Sequence, residues 1–482
     1  MIKSSILILT VILFTTLTST AQEKGYTPKI EPCTCWLKAD SNLKISCAYL
    51  IVPENRSKPI GKTIKLPFAY VESNNPNKHK DPVLYTAGGP GASSLRGVRL
   101  HYRSLMKNRD YIAFEQRGNQ YALPCLKCDE ISEAIKRAYR KNLPVDSMTI
   151  EGVKQCRQNL LNQGIDLLAY NTDENAADIE DLRIALHIDS LNLIGISYSG
   201  GLMMAVLHKY PKHIRSLILD SALPEFVNID EDELTNFNEA LNQVFTNCEA
   251  DSSNKVKYSN LKQRFHDYFM SIGNKPFYIN YLEKGTADSI KIKYGRNELL
   301  NILHSYIEDH YKIKEVPAML TEIISGNHKA YIKAYLDGVF NGYAGVSGMR
   351  MSVYCSDKMA YADKSTIYMQ EQIQPYMAGF HVNDVYLPMC SCWQVTPIAA
   401  ETKKPFYSNT PALLSAGGMD DACRPVYNDM IHHYMPNSQR LLFTDRQHGP
   451  LLNSYDGDVF IGKFLDDPYK KVTSDKKNII AY

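Results

Sequence analysis

Residues 191–223 read LNLIGISYSGGLMMAVLHKYPKHIRSLILDSAL, and this stretch constrains the chain more than any other. An apolar run reaches Gly195-Ile196-Ser197-Tyr198-Ser199-Gly200-Gly201, and a helical pattern begins at once. A buried strand that turns abruptly into a helix leaves one side chain standing at the bend, here Ser197. Gly195 before it and the small Ser199 after it let strand and helix pass closely. A serine held on such a turn acts as a nucleophile when a histidine reaches it. The pattern is nearly G-x-S-x-G, with Ser199 where the last glycine is usual.

The rest of the chain supplies the frame that such a turn needs. Residues 44–53 and 62–72 alternate apolar and polar side chains and predict two antiparallel strands joined by a turn. Residues 81–87 form a short continuous apolar run, as in a strand covered on both faces, and lead into Gly88-Gly89-Pro90-Gly91. Residues 109–116 predict another buried strand. A helical pattern covers 129–164, and 172–186 is an amphipathic helix with Thr172 as its cap and acids in its first turn. After the Ser197 turn and its helix comes a strand at 215–223. Strand and helix in alternation predict a largely parallel sheet covered by helices. Between 224 and 404 the alternation stops, and the periodicity predicts an inserted helical cap. The sheet pattern resumes at 411–417, followed by a helix from 425, a strand at 439–444 and a last helix after Gly449.

The chain begins MIKSSILILTVILFTTLTSTAQ, a lysine followed by a short apolar run closing on Ser19-Thr20-Ala21. That is the pattern of a signal peptide over residues 1–21, with a mature chain that is secreted or periplasmic and has no membrane span. A formal charge of +2 argues against a nucleic-acid binder, which needs a clustered basic excess. Eleven cysteines in an exported chain predict structural disulfides, with at least one thiol left over. Cys33-x-Cys35, Cys125-x-x-Cys128 and Cys390-x-Cys392 lack the matching second half of a zinc site, so no metal or other cofactor is expected. The sequence sets no oligomeric state.

Serine chemistry needs a base to take the hydroxyl proton and an acid to hold that base. In a sheet of this kind they follow the serine in the order acid, then histidine. The strand at 411–417 ends in Gly418-Met419-Asp420-Asp421, which places an acid on the rim that carries Ser197. The next strand ends in Asp445-Arg446-Gln447-His448-Gly449, which places a histidine there too. The expected triad is Ser197, Asp420 and His448, with Asp421 the alternative acid. His432-His433 follows no strand and reads as surface. The glycine loop after the strand at 81–87 can bring the Gly89 N–H to a developing oxyanion, and the Tyr198 amide offers the second donor.

Taken together, TAGGPGASS, FEQRGNQYALPC, YNTDENAADIEDLRIALHIDSLNLIGISYSGG, YPKHIRSLILDSALP, MSVYCSD, SAGGMDDACRP and RQHG resemble the α/β-hydrolase peptidases of the proline iminopeptidase and tripeptidyl aminopeptidase group, including the C-terminal part typical of the latter. The resemblance implies an α/β-hydrolase fold, which the alternation divides into core segments 22–223 and 405–482 around a cap at 224–404. It implies removal of one to three residues from peptides with a free N-terminus, through an acyl-enzyme. It further implies that Cys33 or Cys35 bonds Cys47, that Cys125 or Cys128 bonds Cys156, and that Cys355 bonds Cys390 or Cys392. Holding the substrate ammonium falls to Asp357, in the family-like Cys-x-Asp segment, with Glu115 behind it. The chain departs from the family at Ala87, where a histidine is usual, at Glu115, at Ser199, and at Asp421, where proline is usual. A carboxylesterase or lipase on the same frame is the competing enzyme, and a non-catalytic binding protein the competing class.

Overall fold

The structure is a computed structural model that describes residues 25–35, 37, 42–96, 98, 103–342 and 347–482. The signal peptide expected over residues 1–21 lies outside the described residues.

Twelve strands are present among the described residues: β1 (Lys29–Cys33), β2 (Lys44–Pro53), β3 (Thr63–Glu72), β4 (Val83–Thr86), β5 (Tyr111–Phe114), β6 (Leu191–Ile196), β7 (Ile214–Asp220), β8 (Phe277–Leu282), β9 (Ser289–Tyr294), β10 (Ala412–Gly417), β11 (Ser438–Phe443) and β12 (Ile479–Ala481). Ten of them form one sheet in the order β1-β2-β3-β5-β4-β6-β7-β10-β11-β12. Its centre, from β5 through β11, is parallel. The antiparallel pairs lie at the two edges. The central strands β4, β5 and β10 are buried along their whole length, as the continuous apolar runs predict.

Helices cover both faces. Those that bear on the site are α1 (Thr172–Ala185), α2 (Tyr198–Lys209), α3 (Glu233–Ala250), α4 (Arg296–Glu308), α5 (Ser347–Val353) and α6 (Tyr455–Asp466). The helical pattern read over 129–164 is two helices, Asp129–Lys141 and Val145–Asn162. The break falls where Asn142 takes a left-handed conformation and Pro144 follows.

Residues between β7 and β10 form the inserted cap, which carries its own core around Phe237, Phe265, Phe269, Leu299 and Leu303. Helices at Leu261–Ile272, Val316–Ile324 and Lys329–Asn341 match the periodicity. Within this predominantly helical segment β8 and β9 pair as an antiparallel hairpin. Their alternating burial, with Ile279, Tyr281, Ile292 and Tyr294 turned inward, is a two-residue period. Met419, in the loop after β10, packs into the cap cluster and so ties the acid-bearing loop to the cap.

Three disulfides settle the pairings left open by the resemblance: Cys35–Cys47, Cys128–Cys156 and Cys355–Cys390. Cys33, Cys125, Cys248, Cys392 and Cys423 remain as thiols. Such disulfides fit a secreted protein. Among the described residues no helix is long and apolar enough to cross a membrane.

Candidate active site

Ser197 sits between the end of β6 and the start of α2 with φ 58° and ψ −128°. A non-glycine residue in that region carries strain on the order of 1–3 kcal/mol, which the surrounding structure must impose. It does so through both backbone groups. Ser197 N–H donates to Asp220 C=O at 3.0 Å, and Ser197 C=O accepts from Gly200 and Leu223 at 2.9 and 3.1 Å. Gly195 is required here, since a Cβ on it would lie 2.4 Å from Ser199 C=O. A Cβ on Gly201 would lie 2.2 Å from Leu223 C=O. The unusual Ser199 makes itself useful. Its hydroxyl accepts from Ile196 N–H at 2.8 Å and lies 2.9 Å from Thr86 C=O, joining the turn to the neighbouring strand β4.

Asp420 and His448 come from the loops after β10 and β11. His448 Nδ1 lies 3.0 and 2.9 Å from the two Asp420 carboxylate oxygens. Asp420 is fully buried and also accepts from the Ala422 and Cys423 N–H groups. Burial disfavours the charged imidazole, but the Asp420 carboxylate outweighs this and lifts the His448 pKa to about 9. Ser197 and His448 line the same cavity, of about 470 Å³. Cys423, in the acid-bearing loop, is fully buried, and burial pushes its thiol well above the usual range.

Asp220 and Ser221 play a part that the sequence reading missed. Asp220, fully buried at the end of β7, accepts from Leu451 and Leu452 N–H at 3.1 and 2.7 Å, and Ser221 Oγ accepts from Gly449 N–H at 2.9 Å. The strand beside Ser197 thereby fixes the histidine loop. The run LDSAL carried the signal, a polar pair closing an apolar strand on the same rim.

Gly88 and Gly89 line the cavity beside Ser197. A Cβ on Gly88 would stand 3.0 Å from Ser197 Cβ, so glycine allows the close approach. Tyr198 is the first residue of α2, where backbone N–H groups have no partner within the helix. Its buried ring places the hydroxyl 2.9 Å from Thr172 Oγ1.

The two residues expected to take an ammonium group lie elsewhere. Asp357 is fully buried under the N-terminus of α1, where its carboxylate accepts from Thr172 N–H at 3.1 Å. Burial, with Glu225 nearby, pushes it up to about 7. Glu115, also fully buried, accepts from Ser93 Oγ and from the N–H groups of Ser94, Leu95 and Tyr121. Burial lifts it to about 7 against those four donors. Neither lines the cavity. Glu115 anchors the glycine loop from below, and Asp357 anchors the cap to α1.

The acids that do line the cavity are Glu233 of α3, Glu308 of α4 and Asp421. His304, one turn before Glu308, places Nε2 3.1 Å from an Asp421 oxygen, close enough to pair in charge though not aligned as a hydrogen bond. Burial would lower the His304 pKa, but Asp421 lifts it to about 9. The ligand atoms of His304, Glu308 and Asp421 lie within 4.8 Å of one another, a spacing that could hold a metal ion. The imidazolium already answers one of the two carboxylates. The spacing His304-x-x-x-Glu308 on one helix face was the available sequence signal.

Sheet order, the Ser197 turn and the placement of acid and histidine after successive strands now stand together, and the α/β-hydrolase fold family matches residues 81–253. The chain has the α/β-hydrolase fold. It is similar to a tripeptidyl aminopeptidase of Streptomyces lividans, 29% identical over 208 residues, or 38% of this chain and 37% of the relative. It is also similar to the serine protease Hip1 of Mycobacterium tuberculosis, 23% identical over 402 residues, covering 76% of this chain and 74% of the relative. The match thus spans little more than a third of the tripeptidyl aminopeptidase. Among solved structures, the proline iminopeptidase of Mycobacterium smegmatis aligns with 87% of this chain and 98% of its own at 12% identity, with a TM-score of 0.39. Within this hydrolase fold the cavity is lined both by loops at the C-terminal rim of the sheet and by the cap residues Tyr354, Val382 and Asn383.

Proposed function

We propose that the chain is an exported serine aminopeptidase that releases one to three residues from peptides with a free N-terminus. The observation that carries this reading is the acidic end of the cavity that also holds Ser197 and His448. Glu233, Glu308 and Asp421 take the substrate ammonium there by charge-assisted hydrogen bonds, the role first expected of Asp357 and Glu115.

In this reading His448 takes the Ser197 proton as Oγ attacks the scissile carbonyl, and Asp420 holds the imidazolium that forms. The carbonyl oxygen gains the negative charge, and the N–H groups of Gly89 and Tyr198 receive it. One such donor is worth about 3–4 kcal/mol of barrier. The C–N bond then breaks, His448 gives its proton to the leaving amine, and an ester to Ser197 remains. Water, deprotonated by His448, attacks that ester and restores the hydroxyl. The pairing of His448 with the fully buried Asp420 and the strained seat of Ser197 support this course.

Aminoacyl-, dipeptidyl- and tripeptidyl-coumarin substrates, each with and without an N-acetyl group, test the reading. Turnover of the free amines, its loss on Ser197→Ala and poor turnover of acetylated partners are expected. Equal turnover of blocked and free peptides would sink the aminopeptidase assignment. Short acyl esters cleaved far faster than any peptide would favour a carboxylesterase or lipase. Failure of Ser197 to react with a fluorophosphonate would favour a non-catalytic binding protein.

A further inference from the structure

The loop from Ala87 to Leu95 carries the proposed oxyanion donor, and the sheet side pins its two flanks. Ala87 donates to Ser94 Oγ at 2.9 Å and accepts from Gln116 Nε2 at 2.7 Å. Ala92 C=O accepts from Asn119 Nδ2 at 2.9 Å, and the Ser94 and Leu95 N–H groups run to Glu115. The tip is held from the opposite side, by the cap. Arg350 of α5 donates from Nη1 to the Gly89 carbonyl, from Nη2 to Asn383 Oδ1 at 2.7 Å, and from Nε to Asp384. Its guanidinium carbon stands 4.6 Å over the Tyr354 ring. Three directional hydrogen bonds and a ring beneath leave a planar fork one orientation. Gly89 has φ +111°, a region that gives glycine no strong preference of its own, so contacts decide how its peptide groups point.

We propose that Arg350 is a positioning residue, a clamp borne by the cap that aims the Gly89 N–H at the carbonyl oxygen of the bound substrate. The proposal rests on the reading of Gly89 as an oxyanion donor. Arg350 also lines the cavity, so its charge lies on the side where the oxyanion forms. Asn383 ties the clamp to the proposed ammonium subsite, because its backbone N–H donates to Glu233 Oε2 at 2.9 Å while its side chain receives Arg350. An oxyanion donor is worth more in the transition state than in the ground state. Losing its aim therefore slows turnover and leaves binding largely alone.

The test compares Arg350→Met, Arg350→Lys and Ser197→Ala in the full chain, on the unblocked peptidyl-coumarin that the unaltered protein cleaves best. Arg350→Met is expected to lower kcat by about 10- to 100-fold with KM within about threefold, short of the loss for removing a donor outright. Arg350→Lys, which keeps a charged donor, should recover at least half of that loss on a logarithmic scale, and both should melt near the parent temperature. A kcat for Arg350→Met within about twofold of the parent would overturn the clamp, as would a rise in KM at constant kcat. Equal losses in both variants, together with lowered melting temperatures, would reduce Arg350 to a structural tie and overturn it as well. Retained hydrolysis by Ser197→Ala would overturn the serine mechanism itself. An inert Ser197→Ala beside an undiminished Arg350→Met would overturn only the clamp.

Discussion

His448 must be neutral to accept the Ser197 proton, yet Asp420 favours its charged form and holds its pKa near 9. Under the proposed mechanism kcat/KM therefore rises with pH through the neutral range and levels off near that value. A kcat/KM profile flat above pH ~7 would contradict this. Asp420→Asn should move the limb toward lower pH and cut kcat by about 10⁴, since the ring loses both its charge partner and its tautomer. Glu308→Gln should raise KM for free-amine substrates by about tenfold, with little change for N-acetylated ones, as loss of one charge-assisted hydrogen bond implies. The Ser197, Asp420 and His448 positions could be read from the chain because each follows a strand, and strand ends fall on one rim. Glu233 could not, and the His304-x-x-x-Glu308 spacing marks one helix face without saying that this face lines the Ser197 cavity. Asp357 misled because a motif that keeps its spacing need not keep its exposure.

The β6–α2 turn is the element on which the site depends, and it works because strand and helix nearly touch. Gly201→Ala puts a Cβ against Leu223 C=O, a backbone atom unable to rotate away. It should destabilise the fold by about 1–3 kcal/mol in urea unfolding, the usual cost of overpacking. Ser199→Gly, although closer to the common pattern, removes the tie to Thr86 and should cost rather than gain stability. The strands of the parallel centre were legible because full burial makes them continuous apolar runs. The β8–β9 hairpin was missed because FYINYL and SIKIKY are short and lie among longer helical patterns. β1 and β12, short strands at the sheet edges, escaped for the same reason: few residues and little burial to mark them.

At the scale of the whole molecule, two protonated histidines bind cap and core to the acid loop, His448 from the β11 loop and His304 from α4. Both have folded-state pKa values near 9, above the unfolded value near 6.5. The folded state therefore binds more protons across that window. The stabilisation is complete below pH ~6.5 and is lost as pH rises through ~9. Thermal unfolding midpoints should fall over that interval, and His304→Gln should flatten the fall. The three disulfides close loops with sequence separations of 12, 28 and 35 residues. Reduction should lower the unfolding midpoint, by the roughly 3–4 kcal/mol per loop that chain entropy assigns to such lengths.

Read alone, the order of residues determined the layered sheet, its serine turn, and the acid and histidine that follow it, because local periodicity and strand order record those directly. Which cysteine of each close pair forms the bond, which carboxylates reach the cavity, and how the cap grips the Gly89 loop were decided only by the folded chain. Those outcomes depend on distances between segments far apart along it, and no local pattern encodes such distances.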